Sequence, residues 1–332
     1  MRTVALLAVA SLTAMSAQRD APVLVSRDVV LMGTRAVLST YADSRTAGLA
    51  TVNAALTVLE GADAELSTWR PSSAISTLNR QPVGMPWSAT PRLCRMFGDI
   101  ATWHHATDGA FDPAIGRLLT AWDVHGDGAI PSPEALVAAV ASSGMGLFAV
   151  DTGRCRVTRL ADAALDVGAF GKGEALDRVA AAVGDDPWMI DLGGQVSVGG
   201  HVPPDGGWRV AVADPRRRDQ AALDLHLASG SLATSAGSER DLEVNGMRVG
   251  HVLDPRTGQP VTFEGSVTVW HERGLAADAL STALFVMAEE GLPWAEARDL
   301  AVLYLIPDGE TLRIEATRAF RRLISPSATA PE

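Results

Sequence analysis

Lysine is nearly absent from this chain of 332 residues, and positive charge is in deficit overall. Lysine and arginine together number 28, Lys172 is the only lysine, and 39 acidic residues bring the formal net charge to −11 at pH 7. Nucleic acids and anionic membrane surfaces both favour a basic protein face. We therefore expect no nucleic-acid partner, and a phosphate ligand would need positive charge that is local or supplied by a bound cation.

Cysteine is scarce as well, and two common catalytic motifs are missing. The sequence contains no H-E-x-x-H and no G-x-S-x-G segment, which are signatures of zinc metalloproteases and of α/β-hydrolases. Its two cysteines, Cys94 and Cys155, could pair in an oxidising compartment, but a chain of this length does not need a disulfide to fold. A disulfide and two free, buried thiols are equally compatible with the sequence.

Long hydrophobic runs are absent beyond the N-terminus. Met1-Arg2 precedes an apolar run from Val4 to Ala17 that ends in small residues, which is typical of a secretory signal peptide. The run is shorter than the roughly 20 residues that a membrane-spanning helix needs. We predict a signal peptide at residues 1–17, one domain at residues 18–324 and a disordered tail at residues 325–332. The mature protein should be exported, periplasmic and soluble, without stable membrane insertion.

Helical and strand-like apolar patterns follow one another without regular alternation, which favours an α+β layer fold over a doubly wound sheet. We predict a single, two-lobed domain with mixed or antiparallel sheets and flanking helices. The predicted helices are Thr46–Ala64, Pro91–Thr107, Pro133–Ser142, Lys172–Val183 and Leu275–Glu289. The predicted strands are Val23–Val30, Thr34–Tyr41, Met189–Leu192, Trp208–Val212, Leu223–Leu227, Leu232–Thr234, Met247–Leu253, Leu300–Ile306 and Thr311–Glu315.

Three glycines surround the single lysine, in the segment Asp166-Val167-Gly168-Ala169-Phe170-Gly171-Lys172-Gly173. Glycines let the backbone approach a ligand and present N–H groups to an anion. A lysine ammonium on its slim stem suits a single phosphate oxygen. The segment is not a P-loop, because Gly173 stands where that motif requires Ser or Thr. The alternative interpretation is a surface lysine beside a flexible turn.

Asp278 and Thr282 lie four residues apart in the predicted helix Leu275–Glu289, so they share one helix face. A carboxylate and a hydroxyl are hard oxygen ligands that suit Mg²⁺, which takes few protein groups and fills its octahedron with phosphate oxygens and water. The alternative is structural. Asp278 would favour the helix dipole, and Thr282 would donate back to a backbone carbonyl.

Trp69 follows the first long helix, where an exposed indole would offer a stacking surface for a planar ring. A core tryptophan is the alternative. The seven histidines are interpreted as structural or surface residues, and His251 is the only one near a motif. Two turns, at Asp112-Pro113 and Asp254-Pro255, specify rigid corners that would suit the walls of a ligand site.

Eight segments in this order resemble the ApbE family, the FAD:protein FMN transferases, from about Val29 to Ala288. They are Met32-Gly33-Thr34, Leu66–Asn79, Gly109–Trp122, Leu165–Asp177, Ile190–Gly194, Leu232–Ser235, His251–Gly258 and Ala277–Ala283. The resemblance implies that FAD is bound by Met32, Trp69, Ala110, Phe111, Asp112, Asp166, Lys172 and Val252. It also implies Mg²⁺ held by Asp278, Thr282 and the carbonyl of Ala169. Gln195 departs from the family pattern, in which Asp or Asn is common at that position.

The resemblance implies an enzyme that moves the FMN part of FAD onto a threonine or serine hydroxyl of a target redox protein and releases AMP. Asp278 and Lys172 would be its catalytic residues, and the target would be an exported or membrane-bound flavoprotein. With water in place of the acceptor, the same site would be an FAD pyrophosphatase. A non-catalytic FAD carrier in the periplasm is the third hypothesis, although it would have no need of the Asp278–Thr282 pair.

Overall fold

The structure is a computed structural model, and it describes residues 21–203, 206–237, 242–244 and 247–324. The predicted signal peptide and the predicted C-terminal tail lie outside the described residues. The helices are α1 (Arg45–Leu66), α2 (Ala74–Asn79), α3 (Pro91–Ala106), α4 (Gly116–Ala121), α5 (Pro133–Ala141), α6 (Gly171–Ala180), α7 (Gly274–Met287), α8 (Gly291–Glu296) and α9 (Arg318–Ile324). The strands are β1 (Val23–Leu31), β2 (Thr34–Ala42), β3 (Pro86–Ser88), β4 (Phe148–Asp151), β5 (Arg156–Arg159), β6 (Trp188–Leu192), β7 (Gln195–Gly199), β8 (Trp208–Asp214), β9 (Arg217–Leu227), β10 (Gly230–Ala236), β11 (Leu242–Val244), β12 (Met247–Val249), β13 (Ser266–His271), β14 (Ala301–Asp308) and β15 (Thr311–Ala316).

An eight-stranded antiparallel sheet forms the centre, in the order β1-β2-β6-β7-β10-β13-β14-β15. Strands β1 and β2 form a hairpin whose turn is Met32-Gly33, with φ of 51° and 70°. Glycine adopts such angles freely, whereas Met32 does so at a cost. This turn therefore holds the Met32 side chain at a defined place on the edge of the sheet.

Helices α1, α6 and α7 carry the apolar faces that cover the sheet. One core cluster joins α1, α6, β2 and β6 through Leu38, Leu59, Leu176 and Ile190. Helix α7 is buried on almost every side and packs against β10 and β13, with Leu280 and Leu284 in a second cluster. A helix that is apolar on all faces belongs in the interior. Polar residues are unusual on such a buried helix, so those of α7 require a structural or functional explanation.

A third core cluster lies under α2, α3 and the small sheet β3-β5-β4, and Phe97 and Phe111 are fully buried in it. Cys94 of α3 and Cys155, which precedes β5, form a disulfide with Cα atoms 5.1 Å apart. Of the two alternatives left open by the sequence, the structure therefore contains the disulfide. It fastens α3 to the β4–β5 hairpin.

The predicted α+β class is confirmed, with antiparallel sheets and flanking helices. The predicted strand Met247–Leu253 is too long, because β12 ends at Val249 and Leu253 forms only an isolated bridge with Pro260. Residues 252–254 pair with residues 259–261 instead of continuing the β11–β12 pairing, since the Val261 N–H donates to the Val252 carbonyl and the Asp254 N–H donates to the Gln259 carbonyl. Among the described residues, no helix combines the length and the hydropathy that crossing a membrane would take.

Candidate active site

A cavity of about 510 Å³ is bordered by the β1–β2 turn, the ends of β7 and β10, the first turn of α6 and one face of α7. We call this the cavity throughout. Its lining residues are Met32, Thr34, Ala110, Asp112, Ile115, Leu119, Val124, His125, Asp166, Val167, Gly168, Ala169, Gly171, Lys172, Gly193, Gln195, Arg218, Ala233, Thr234, Ser235, Ala236, His251, Val252, Leu253, Pro255, Asp278 and Thr282.

Lys172 and Asp278 meet in the cavity. The Lys172 ammonium Nζ lies 3.3 Å from Oδ1 of Asp278, and the other carboxylate oxygen accepts the backbone N–H of Gly173 at 3.0 Å. The Asp278 side chain is only 6% exposed, whereas Lys172 is 28% exposed. A buried carboxylate needs a charged or hydrogen-bonding partner, and Asp278 has both. Lys172 is therefore not a free surface cation.

Two glycines allow α6 and α7 to approach each other at their first turns. A Cβ atom on Gly173 would overlap the carbonyl oxygen of Gly274, and a Cβ on Gly274 would lie 2.6 Å from the carbonyl oxygen of Gly173. Only glycine permits a backbone contact of this closeness. The glycine after the lysine thus brings Asp278 within reach of Lys172.

Asp278, Thr282 and Ala169 all line the cavity. The Thr282 hydroxyl donates to the Asp278 carbonyl at 3.2 Å and lies 3.4 Å from the Ser235 hydroxyl, which leaves its oxygen one lone pair for a further ligand. No group of three or more His, Cys, Asp or Glu side chains in the described part of the chain could hold a metal ion. Mg²⁺ does not require such a group, because it binds through one or two carboxylates and keeps waters or phosphate oxygens. One carboxylate, one hydroxyl and one carbonyl of Ala169 fit that ion.

Asp112 lines the cavity, but its carboxylate is occupied by the protein. It accepts the N–H groups of Ala114 at 2.8 Å and Met145 at 2.9 Å, and its Oδ2 lies 3.2 Å from Nδ1 of His104. Burial raises the pKa of Asp112, while the Met145 N–H and His104 act in the opposite direction. The neighbouring Phe111 is fully buried in the core and does not line the cavity. Phe111 therefore lies in the core and not in the cavity. Asp112 stabilises the cavity lining by accepting backbone hydrogen bonds from Ala114 and Met145.

Trp69 does not itself line the cavity, but it contacts His125, which does. Its side chain is 71% exposed, so it is not a core tryptophan, and its ring contacts His125 edge-on with centroids 5.1 Å apart. His125 lines the cavity, and its Nε2 lies 3.7 Å from Oδ2 of Asp166. Asp166 in turn accepts the Gly168 N–H at 2.7 Å. These rings offer a planar ligand a stacking surface beside the glycine segment.

The sequence assigned no role to two residues of this site, His125 and Gln195. His125 belongs to the loop after α4, far along the chain from Trp69, so no local pattern connects them. Gln195 lines the cavity and donates through Nε2 to the carbonyl of Gly274 at 3.0 Å, which ties β7 to the start of α7. The only signal in the sequence was its departure from the family pattern, which gave no role for it.

The chain matches known proteins over most of its length. The model of the ApbE family matches residues 32–304. The FAD:protein FMN transferase of Vibrio cholerae is 27% identical over 278 residues, covering 81% of this chain and 83% of that protein. The protein of that name from Chlamydia trachomatis is 31% identical over 254 residues, covering 73% of this chain and 78% of its own length.

Solved structures agree with the sequence comparisons. The flavinyl transferase ApbE of Pseudomonas stutzeri, in its apo form, superposes with a TM-score of 0.80 at 27% identity, covering 92% of this chain and 98% of that one. The ApbE protein of Thermotoga maritima gives a TM-score of 0.82 at 27% identity, covering 91% of this chain and all of that one. The family match spans most of the central sheet, the glycine segment and α7, and this chain therefore belongs to the ApbE family.

Proposed function

We propose that this protein is an FAD:protein FMN transferase. It moves the FMN moiety of FAD onto a threonine or serine hydroxyl of a target redox protein and releases AMP. The observation that carries the proposal is the meeting of Lys172 and Asp278 beside Thr282 in one cavity of an ApbE-family chain. Curated relatives that share up to 31% identity with this chain bear that enzyme name.

The reaction is a phosphoryl transfer from a pyrophosphate. The acceptor hydroxyl oxygen attacks the phosphorus of the FMN half, and a new P–O bond forms. The bond between that phosphorus and the bridging oxygen breaks, and AMP leaves with the bridging oxygen. The hydroxyl proton passes to a base or to solvent, and Asp166 and Asp278 are candidates for that base because both line the cavity. Catalysis of such a step depends on positioning and on stabilising charge.

Lys172 supplies positive charge where the chain as a whole is negative. Its ammonium sits at the first turn of α6, where helix N–H groups also favour an anion. The glycines at 168, 171 and 173 leave room for a phosphate to approach these groups. In this account Lys172 binds a pyrophosphate oxygen and stabilises the charge that develops on it.

Mg²⁺ would be held by the Asp278 carboxylate, the Thr282 hydroxyl and the Ala169 carbonyl. The ion would neutralise charge on the transferring phosphoryl group and its leaving group. The buried Asp278 carboxylate accepts the Gly173 N–H through one oxygen, and its other oxygen lies 3.3 Å from the Lys172 ammonium. Its role in the chain is thus to present its other oxygen beside Lys172.

The rest of the cavity suits the parts of FAD other than its pyrophosphate. Met32, Ala110 and Val252 contribute apolar walls, and Trp69 with His125 offers a ring surface. FAD is a substrate here rather than a resident cofactor. We further propose that the enzyme is exported to the periplasm after cleavage near residue 17, where it matures an exported or membrane-bound flavoprotein.

Mass spectrometry of a threonine-bearing acceptor domain tests the proposal. The mature protein is incubated with the acceptor, FAD and MgCl₂, with and without EDTA. We expect the acceptor to gain one FMN and AMP to be released, and EDTA to abolish both. Free FMN and AMP without labelled acceptor would indicate the pyrophosphatase instead. Intact FAD that stays bound to the protein would indicate the carrier and contradict the proposal.

A further inference from the structure

Helix α7 begins without a cap of its own. Arg273 precedes it and makes no capping hydrogen bond with its side chain, although the first N–H groups of any helix lack partners within the helix. The hydrogen-bond acceptor for these N–H groups is Asp177 of α6. Oδ1 of Asp177 accepts the Gly274 N–H at 2.5 Å, and Oδ2 accepts the Leu275 N–H at 3.3 Å.

The arrangement is reciprocal. Helix α6 also lacks a side-chain cap, because Phe170 precedes it, and its first-turn N–H at Gly173 donates to Asp278 of α7 at 3.0 Å. Each helix therefore supplies the carboxylate that caps the other. Both carboxylates lie at the N-terminal end of the neighbouring helix, which is the positive end of its dipole.

One further contact fixes the Asp177 carboxylate. The Arg273 guanidinium donates through Nε to Oδ2 of Asp177 at 3.0 Å and through Nη2 to Oδ2 of Asp99 at 2.8 Å. Asp99 belongs to α3 and has no bond to the backbone of α7 among its described contacts. The two aspartates thus share one arginine, but only Asp177 holds the start of α7.

We propose that Asp177 is a positioning residue for the transfer reaction, because it sets the place of α7 against α6 and so the distance between Asp278 and Lys172. This inference rests on the proposed function. Asp278 lies four residues after Gly274, one helical turn from the capped N–H, so a shift at Gly274 is carried to it. A misplacement of a reacting group by about 1 Å costs on the order of 100-fold in rate.

The experiment compares Asp177→Asn with Asp99→Asn. Each substitution removes one carboxylate partner of Arg273, but only the first places an amide against the α7 N–H groups. We expect kcat for FMN transfer by folded Asp177→Asn to fall about 30- to 100-fold, while KM for FAD stays within about threefold. Asp99→Asn should remain within about threefold of wild type in both constants. Equal kcat values for the two folded variants would overturn the proposal.

A second variant and a hydrogen-exchange measurement complete this experiment. If Asp177→Asn does not fold, Asp177→Ser replaces it, since the shorter serine side chain also removes the carboxylate from the α7 N–H groups, and the same criteria apply. Hydrogen exchange of the peptide 274–282, measured without FAD, gives a readout that needs no activity. We expect at least about tenfold faster exchange in the Asp177 variant than in Asp99→Asn. If wild type itself transfers no FMN, the proposed function fails, and unchanged exchange separately overturns the role of Asp177.

Discussion

Asp278 forms an ion pair with Lys172, the only lysine of the chain. Lys172 Nζ and Asp278 Oδ1 are 3.3 Å apart, although 106 residues separate them in sequence. The carboxylate is buried and receives a second bond from the Gly173 N–H, so its position is fixed by backbone as well as by charge. This pair joins the first turns of α6 and α7 within the cavity. The proposed phosphoryl transfer depends on this pair.

Replacing Lys172 by arginine tests whether the ammonium itself matters. A guanidinium is planar and broader, and the glycines at 171 and 173 give it a confined backbone setting. We expect Lys172→Arg to lower kcat for FMN transfer at least about tenfold, and Lys172→Ala to lower it about 100-fold or more. Steady-state kinetics with FAD measures both. Activity of the arginine variant at the wild-type level would mean that Lys172 is only a surface charge.

The contact between Gly173 and Gly274 should tolerate no side chain. Gly173→Ala would place a methyl group against the Gly274 carbonyl, so α6 and α7 would have to separate. We expect a loss of about 1–3 kcal/mol in the free energy of unfolding, together with loss of transfer.

Gly61→Ala is the matched control, because Gly61 lies within α1 and a Cβ there has no neighbour within 4 Å. It should be neutral or stabilise the protein by up to about 1 kcal/mol, since alanine favours a helix interior over glycine. Urea unfolding followed by circular dichroism reports both values. Equal stability of the two variants would be inconsistent with the described helix contact.

The disulfide should contribute stability but not activity. Cys94 and Cys155 enclose a sequence separation of 61 residues, and neither lines the cavity. We expect the double variant Cys94→Ser/Cys155→Ser to lose about 2–5 kcal/mol in the free energy of unfolding, while its folded fraction transfers FMN at the wild-type rate. Thiol titration of the denatured wild type should find no free cysteine. Two titratable thiols, or an unchanged urea midpoint, would contradict the bond.

Several elements could be predicted from local pattern alone. Apolar spacing located α1, α3 and α7 within a few residues, and the Met32-Gly33 turn located the β1–β2 hairpin. Helical spacing also put Asp278 and Thr282 on one face, because a four-residue separation is a property of any helix. Such features depend only on neighbours in sequence.

Relations between distant segments could not be predicted in this way. No periodicity shows that Asp278 meets Lys172, that Asp177 caps α7, or that His125 stands beside Trp69. The same limit applies to Phe111, which adjoins cavity residues in sequence yet points into the core. The strand predicted to end at Leu253 ends earlier, because residues 252–254 pair with the distant segment 259–261.

The most direct test of the account is the intact mass of a threonine-bearing acceptor after incubation with FAD and MgCl₂ and either wild type or Asp278→Ala. We expect wild type to add one FMN and the variant to lose at least about 1,000-fold in rate, while its affinity for FAD, measured by fluorescence, falls about tenfold or less. Asp299→Asn, an exposed aspartate paired with Arg322, serves as the control and should behave as wild type. Undiminished transfer by Asp278→Ala, or equal losses in rate and FAD affinity, would contradict the central claim.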